Sequence, residues 1–475
     1  MCDDQRLANA ASKTMTFPKQ VSLIPQSQPV HATVLGWRDG SLQKLVEILQ
    51  KQFDSTLITF EAGGIYPDLD AQQVTVLSKE SDVLIVGDHL QAWQFYPLFE
   101  SIHCPLMMID PPMVFHPYQA SCRQMFRNNG LDVLPAENPT RINQSFIALR
   151  ARKWLANSTV LWVTDPTDTH PMRGDVQARA AATHQLTGVK VICIPVGQLK
   201  LMASQVTRNQ TQQVWAHWRE TLFSDVDSNL TQEHLDDTAR LYVAMRQLVD
   251  THQANAIAVE DIGAFLFNNM AMPNLAHTAL RAQGITTAEE GDLTMLITQL
   301  FFASINQQQA MMGNVYLGYR DAWESNKAHD AYGPDAIAAD FNQCVSEKTA
   351  LMCHFGTPGI LPLCMTDEKR YRVVETKPSW RGQSMSLAIP KLGSSLLARL
   401  DETSNELHVY PGQITRTYDD PDGGWYRGRF LIHMPGIEHF VDHGFSAHYA
   451  LGLRPDTASL ASLCQLLKIE CCIHE

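Results

Sequence analysis

Three carboxylates crowd together in the stretch "TAEEGDLTML", which begins at Thr287. Glu289, Glu290 and Asp292 stand just before an apolar run with helical periodicity, so Asp292 is placed to cap a helix. Thr286 and Thr287 each have a glutamate three residues later, which is the spacing of a capping box. A helix start needs one cap, however, and adjacent carboxylates repel each other unless a cation or a shared proton relieves them. The stretch leaves a helix cap and a metal site open as interpretations.

Histidines that could complete a metal site lie much later in the chain. His354 ends the apolar run "ALMCH" before a Gly/Pro loop, while His443 and His448 lie five residues apart in "DHGFSAHYALG". Imidazoles together with carboxylates are the ligands expected of manganese, iron or zinc. A single histidine at a strand end is more often a surface residue or one with a structural hydrogen bond, and this interpretation stays open as well.

The order of these segments resembles that of the arabinose and fucose isomerase superfamily. The matching pieces are "PNLAHTALRAQGITTAEEGDLTMLITQL", "MMGN", "CHFG" and "SAHYALG", with "AEEGDL" the most specific of them. The resemblance covers pieces of residues 254–475, and for residues 1–250 it rests only on the α/β pattern. It implies a metal-dependent aldose-ketose isomerase that acts on a monosaccharide through an enediol and uses a divalent metal, usually Mn²⁺.

The resemblance also assigns roles to particular residues. Glu290 would be a metal ligand and the catalytic base, and His354 and His448 would be the other metal ligands. The metal would hold O1 and O2 of the sugar, while two acid/base groups move a proton between C1 and C2.

The chain departs from the family pattern at one position that matters. Asn314 stands where the family has its second acid/base carboxylate, and an amide cannot exchange a proton at neutral pH. Asp321 and His443 are the candidates to replace that group. Asn314 and His443 are also candidate substrate ligands, and Trp323 could stack on the sugar ring. The departure supports an alternative, a sugar-binding paralogue without catalysis or with an altered activity. A third interpretation makes Glu290 a helix cap and the histidines structural.

The secondary-structure pattern predicts the elements that carry these residues. Short apolar runs alternate with helix-like segments through the first two thirds of the chain, and short alternating runs separated by turns follow. We expect two Rossmann-like α/β domains with parallel sheets and a C-terminal antiparallel, barrel-like β domain. No glycine-rich nucleotide motif follows the strands, but "VED" before Ile262 would lie at a carboxyl edge, where parallel sheets bind ligands. The expected divisions are an arm at 1–29, α/β domains at 30–155 and 156–340, and the β domain at 341–475.

Composition narrows the classes of partner. Fifty acidic against 37 basic residues give a net charge of −13, with no basic block, which argues against nucleic acid. The chain has no run of 18 apolar residues and no signal-like apolar core, so we expect a cytoplasmic protein without a membrane partner. Ten scattered cysteines without a CxxC pair favour free thiols. The resemblance implies a homo-oligomer, a trimer or hexamer.

Overall fold

The computed structural model describes most of the chain after the first 27 residues. The described ranges are 28–110, 117–165, 174–268, 270–317, 341–354, 361–375, 383–419, 428–444, 446–453 and 456–475. Asp321 and Trp323, two of the candidate site residues, lie outside the described residues, as does most of the expected N-terminal arm. The chain divides into two compact units, which we call the small unit and the large unit.

The small unit comprises Pro25–Asn157 and Asp456–Glu470. Its four-stranded sheet is parallel throughout, in the order β2-β1-β3-β4. The strands are β1 (Val30–Gly36), β2 (Ile58–Ile65), β3 (Val83–Val86) and β4 (Leu106–Met108). Its helices are α1 (Asp39–Gln52), α2 (Ala71–Glu80), α3 (His89–Ala92), α4 (Pro117–Asn128), α5 (Pro139–Ala156) and the late helix α14 (Thr457–Leu467). α14 packs on α5, so a segment late in the sequence belongs to the small unit.

The large unit comprises Ser158–Pro455 with Cys471–Glu475 and begins with a second parallel sheet. Its order, β6-β5-β8-β9, places the third strand beside the first, as in the small unit. The strands are β5 (Thr159–Val163), β6 (Lys190–Ile194), β8 (Ala256–Val259) and β9 (Thr286–Ala288). β8, "AIAV", is buried along its whole length, as expected for a parallel strand covered on both faces.

Helices surround this second sheet. They are α6 (Val176–Thr187), α7 (Val196–Ser204), α8 (Arg208–Thr221), α9 (Gln232–His252), α10 (Asn274–Ala282) and α11 (Leu293–Asn306). Trp218 of α8 and Tyr242 of α9 pack edge to face at 5.2 Å and are fully buried. Asp292 caps α11 by accepting a hydrogen bond from Met295 N at 2.9 Å, so the predicted cap is confirmed.

The rest of the large unit is a closed antiparallel barrel. Its strands follow the order β14-β17-β10-β11-β16-β15, and the pairing of β15 with β14 closes the ring, while β18 adds to β15 outside it. The strands are β10 (Met311–Tyr316), β11 (Thr349–Cys353), β14 (Gly393–Asp401), β15 (Glu406–Thr417), β16 (Phe430–His433), β17 (His448–Leu453) and β18 (Glu470–Ile473). The helices α12 (Phe341–Ser346) and α13 (Ile437–His443) belong to this region. A three-stranded sheet joins β7 (Phe223–Val226), β12 (Tyr371–Glu375) and β13 (Ser384–Leu387).

The fold class predicted from the sequence is confirmed in its coarse form, α/β with two parallel sheets and an antiparallel barrel in the C-terminal region. One continuous apolar core runs from the second parallel sheet to the barrel interior and includes Ile257, Leu275, Met352 and Tyr449. This shared core fixes the edge of that sheet against the barrel. Within the described ranges, no helix has the length and apolarity needed to span a bilayer. The expected domain boundaries near residues 155 and 340 stay a prediction.

Candidate metal centre

Carboxylates collect at one edge of the parallel sheet in the large unit. β8 ends at Val259 and is followed by Glu260 and Asp261, and its parallel neighbour β9 is followed by Glu289 and Glu290. The carboxyl ends of parallel strands meet at the same sheet edge, which is where α/β sheets bind their ligands. The backbone N–H of Glu290 donates to Oδ1 of Asp261 at 2.9 Å, so the two loops are joined directly.

The barrel presents its histidines to this edge. His354 directly follows β11 and His448 is the first residue of β17. β10 lies between these strands, and Asn314 pairs with His448 on one side and with Cys353 on the other. The rings of His354 and His448 are 5.2 Å apart between centroids.

Glu290 lies between the two histidines, and we call these three residues the first cluster. Its Oε1 is 3.9 Å from Nε2 of His354, and its Oε2 is 3.5 Å from Nε2 of His448. One ligand atom from each residue lies within 4.8 Å of the other two. The Glu290 side chain is 30% exposed, whereas both histidines are buried, so the carboxylate is the accessible member.

Asp292 orients His448 through Nδ1, the ring nitrogen that faces away from Glu290. Its Oδ2 lies 3.0 Å from Nδ1 of His448, which directs Nε2 of the ring toward Glu290. Arg399 on β14 donates two hydrogen bonds to the same carboxylate, at 2.8 and 3.1 Å. A carboxylate on the far nitrogen of an imidazole is the usual way in which metal-binding histidines are held in one tautomer and orientation.

The backbone around Glu290 is held in an uncommon conformation. Glu290 and Gly291 have φ values of +56° and +62°, in the left-handed region. The positive φ favours glycine at residue 291, and a Cβ there would also press on Oε2 of Glu260 at 3.3 Å. Trp162 on β5 donates from Nε1 to the carbonyl of Gly291 at 2.8 Å. Strain of this kind is concentrated at functional sites because the surroundings must maintain it.

A second group of potential ligands lies deeper, and we call it the inner cluster. Asp261, His277 and Glu289 are each at most 1% exposed, and their ligand atoms lie within 4.8 Å of one another. His354 connects the two clusters because its Nδ1 is 3.3 Å from Oε2 of Glu289. Neither ring nitrogen of His277 has a hydrogen-bond partner in the described part of the chain, although the ring is buried. The site assignment from sequence missed this cluster; "VED" at the end of a predicted strand was the available signal.

The charges of these groups are strongly perturbed. Burial alone would lower the pKa of His448, but the hydrogen bonds and charges of Asp292 and Glu290 raise it to about 9. Burial opposes ionisation of Asp292, yet Arg399 and His448 hold the pKa of its carboxyl well below the usual range. Burial and then the neighbouring Glu289 and Glu290 raise the pKa of Asp261. At this edge of the sheet, therefore, the pKa of Asp292 is lowered and that of Asp261 is raised.

Burial, which disfavours a charged imidazole, lowers the pKa of His277 to about 4 despite the nearby Glu289. Burial also acts on Glu290, but His448 and His354 outweigh it and lower the pKa of that carboxyl. Glu290 is then ionised and His277 neutral at pH 7, which are the forms that bind metal ions.

The structure brings some of the candidate residues from the sequence together and places another apart from them. Glu290, His354 and His448 meet, and Asn314 is the cross-strand neighbour of His448. His443 is placed elsewhere, at the end of α13 with its ring 4.4 Å from that of His439. α13 ends at His443 and β17 begins at His448.

The capping boxes proposed for Thr286 and Thr287 are wrong. Both threonines lie within β9, so neither stands at a helix start. The helix begins later, after Asp292, and this leaves Glu289 and Glu290 in the loop between strand and helix. The two interpretations of the stretch are therefore divided between residues: Asp292 is the cap, and the two glutamates belong to the clusters.

Comparison with the known protein families finds no family model that matches this chain, and no characterised protein sequence matches it.

Proposed function

We propose that the chain is a divergent member of the arabinose and fucose isomerase superfamily and acts as a metal-dependent aldose-ketose isomerase on a monosaccharide or sugar derivative. The observation that carries the proposal is the convergence of Glu290, His354 and His448 from three separate segments. The Rossmann-like assignment belongs to the same proposal and is supported by the shared strand order of the two parallel sheets. Under it the enzyme is a cytoplasmic homo-oligomer, a trimer or hexamer.

The residues fit a divalent metal. Two imidazoles and one carboxylate suit manganese, iron and zinc, and the sequence resemblance favours Mn²⁺. Nε2 of His448 is buried and faces Oε2 of Glu290 at 3.5 Å, while the ring is anchored through Nδ1. A metal bound there would polarise the sugar carbonyl and stabilise the negative charge that develops on O1 and O2.

The chain's own residues would bind the sugar and move the proton. Glu290 is ionised, partly exposed and held by its backbone, so it is the group best placed to take a proton from the sugar carbon. Asn314 can hydrogen-bond a sugar hydroxyl, since its Oδ1 has no partner in the part of the chain that the structure describes. The second acid/base group is proposed to be Asp321, which lies outside the described residues.

Asn314 also favours a second candidate function. Without a carboxylate at that position, a chain of this fold could bind a sugar and metal yet leave the sugar unchanged. The inner cluster weighs against this alternative, because Asp261 and Glu289 keep further carboxyl groups beside His354 and Glu290.

Exchange of the sugar C2 proton with solvent tests the proposal. Metal-loaded protein would be incubated in D₂O with a panel of pentoses, hexoses and deoxysugars, and deuterium at C2 would be measured by NMR. We expect Mn²⁺-dependent exchange with at least one sugar, and its loss in Glu290→Gln. Glu220→Gln, an exposed glutamate of α8, is the matched control and should exchange as wild type does.

Metal content separates the candidates. Bound Mn²⁺ would be measured after dialysis against metal-free buffer. Metal binding that depends on Glu290 without any exchange would favour the sugar-binding alternative. Equal metal content in wild type and Glu290→Gln would overturn both.

A further inference from the structure

A group of histidines collects on the barrel away from the first cluster. His408 lies on β15, His439 on α13 and His474 directly after β18; His408 is buried and the other two are partly exposed. The rings of His439 and His474 stack at 3.5 Å between centroids, and that of His408 is 5.3 Å from His474. We call these three residues the histidine cluster. None of them takes part in the proposed isomerase chemistry.

The backbone is shaped to bring these rings together. His474 N donates to the carbonyl of Val409 at 2.9 Å, which fixes the terminal segment on β15 beside His408. Gly436, just before α13, passes directly over the same segment, and a Cβ there would lie 2.5 Å from the carbonyl oxygen of His474. Only glycine allows this approach, because such a contact is shorter than any van der Waals distance. The close approach places His439 on the ring of His474.

The nitrogen positions match a metal site. Nδ1 of His408 lies 3.1 Å from Nε2 of His474, and one ring nitrogen of His439 lies within 4.8 Å of both ligand atoms. Two nitrogens bound to one tetrahedral Zn²⁺ at about 2.0–2.1 Å are roughly 3.3 Å apart. The pair formed by His408 and His474 already has nearly this separation, whereas His439, whose ring is stacked on that of His474, would have to turn out of the stack to aim a nitrogen lone pair at the same ion.

Neighbouring groups hold the rings in suitable tautomers. Oε2 of Glu406 lies 3.1 Å from Nε2 of His408, so a proton on Nε2 leaves the lone pair of Nδ1 for a metal. The hydroxyl of Tyr410 lies 3.3 Å from Nδ1 of His439 and orients the His439 ring. Outer contacts of this kind are usual around histidine ligands. Cys472 and Glu406 add further donors, since each has a ligand atom within 4.8 Å of His408.

We propose that His408, His439 and His474 bind a divalent transition metal of the zinc class, with solvent or Cys472 in the remaining position. Imidazole suits Zn²⁺, Cu²⁺ and Ni²⁺ and is a poor ligand for Mg²⁺ or Ca²⁺. The bound metal would tie β15, α13 and the segment after β18 to one another. The site is independent of the isomerase proposal and shares no residue with it.

Protonation does not compete with the metal at neutral pH. Burial and the neighbouring His439, His408 and His443 lower the pKa of His474 to about 4. Burial and then His443 and His408 also lower the pKa of His439. Both rings are therefore neutral at pH 7, which is the form that binds a metal.

The test measures Zn²⁺ and Co²⁺ binding in a Glu290→Gln background, in which the first cluster is disabled. We expect the single variants His474→Gln and His439→Gln each to lose about one equivalent of tightly bound Zn²⁺. We also expect them to lose the visible absorption of tetrahedral Co²⁺. His103→Gln, an exposed histidine of the small unit, is the control and should bind as its parent does. Two separate variants guard against a folding defect in one.

Melting temperature supplies an independent measurement. A ligand that binds only the folded state raises the melting temperature as its concentration rises above its Kd. Zn²⁺ should therefore raise the melting temperature of the Glu290→Gln parent and of its His103→Gln derivative, and do so much less for the two cluster variants. Equal Zn²⁺ stoichiometry and equal Co²⁺ spectra in all four proteins would overturn the proposal, whatever the outcome of the sugar exchange experiment.

Discussion

Nδ1 of His448 lies 3.0 Å from Oδ2 of Asp292, although 156 positions separate the two residues in the chain. Asp292 begins a helix at the edge of the parallel sheet, and His448 begins a barrel strand. The carboxylate that caps the helix α11 therefore also orients the imidazole at the start of the strand β17.

Asp292→Asn should weaken both metal binding and stability. Asparagine caps a helix as well as aspartate does, but it removes the charge that pairs with Arg399 and His448. Breaking a largely buried ion pair costs about 3–5 kcal/mol, and loss of a carboxylate behind a metal-binding histidine typically costs about 10–100-fold in metal affinity. Urea unfolding and Mn²⁺ titration would measure the two effects.

Asp175→Asn is the matched control for that variant. Asp175 caps α6 through Ala178 N at 2.9 Å and is exposed. We expect its replacement to change stability by less than about 0.5 kcal/mol. Equal losses in the two variants would assign the effect to helix capping instead of the buried ion pair.

Stability of the metal-free protein should fall between pH 6.5 and pH 9. Folding raises the pKa of His448 from 6.5 to about 9, so the folded state holds an extra proton in this window. The stabilisation is complete below pH 6.5 and is lost as the pH rises through 9. One pKa unit corresponds to about 1.4 kcal/mol, which gives a loss on the order of 3 kcal/mol. Melting temperatures after chelation would follow it.

His448→Gln separates this effect from other titrations. Glutamine keeps a polar side chain but cannot bind the extra proton, so its melting temperature should change less over the same range. Parallel decreases in wild type and variant would show that other groups cause the pH dependence.

Gly291→Ala should disturb the loop that carries Glu290. At φ +62° an L-residue pays roughly 1–2 kcal/mol, and the added Cβ would also press on Glu260. We expect a stability loss of that size and weaker Mn²⁺ binding. Gly197→Ala in α7 is the control, since nothing lies within 4 Å of its Cβ position, and it should be neutral or stabilising by about 0.5–1 kcal/mol. Unchanged metal affinity in Gly291→Ala would mean that the loop conformation does not position Glu290.

Asn314→Glu should strengthen the site. Asn314 is the cross-strand neighbour of His448, where facing side chains have Cβ atoms about 4.5–5.5 Å apart. A carboxylate there adds a metal ligand and an acid/base group, so we expect at least about tenfold tighter Mn²⁺ binding and faster C2 exchange. Asn314→Gln, of equal length without charge, should gain neither. Equal behaviour of the two variants would mean that position 314 does not face the metal.

Local patterns predicted much of this fold. The alternation of strands and helices and the helix after Asp292 were readable because burial and periodicity are properties of neighbouring residues, whereas the strand β9 before that helix was mistaken for a helix start. The barrel-like character of the C-terminal region was predicted, but its strand order was not. Its closure depends on the pairing of β14 with β15, together with five further strand pairings that no local pattern encodes.

The site was predictable where order along the chain carried information. Glu290, His354 and His448 were identified from their succession, and they do meet. His277 was not, because a histidine in an amphipathic helix looks like many others until the fold buries it beside Asp261 and Glu289. His443 lies at the end of α13 beside His439, and a sequence separation of five from His448 does not reveal that a helix ends at the first of the two histidines.

The first cluster takes its carboxylate from the sheet edge and both imidazoles from the barrel. A gene fragment that stopped before β11 would encode the carboxylate of Glu290 without either imidazole. A fragment that started there would encode the two imidazoles without the carboxylate. Recombination of either fragment alone could therefore not transfer the first cluster. Amino-acid substitutions in one fragment are constrained by the ligands that the other supplies.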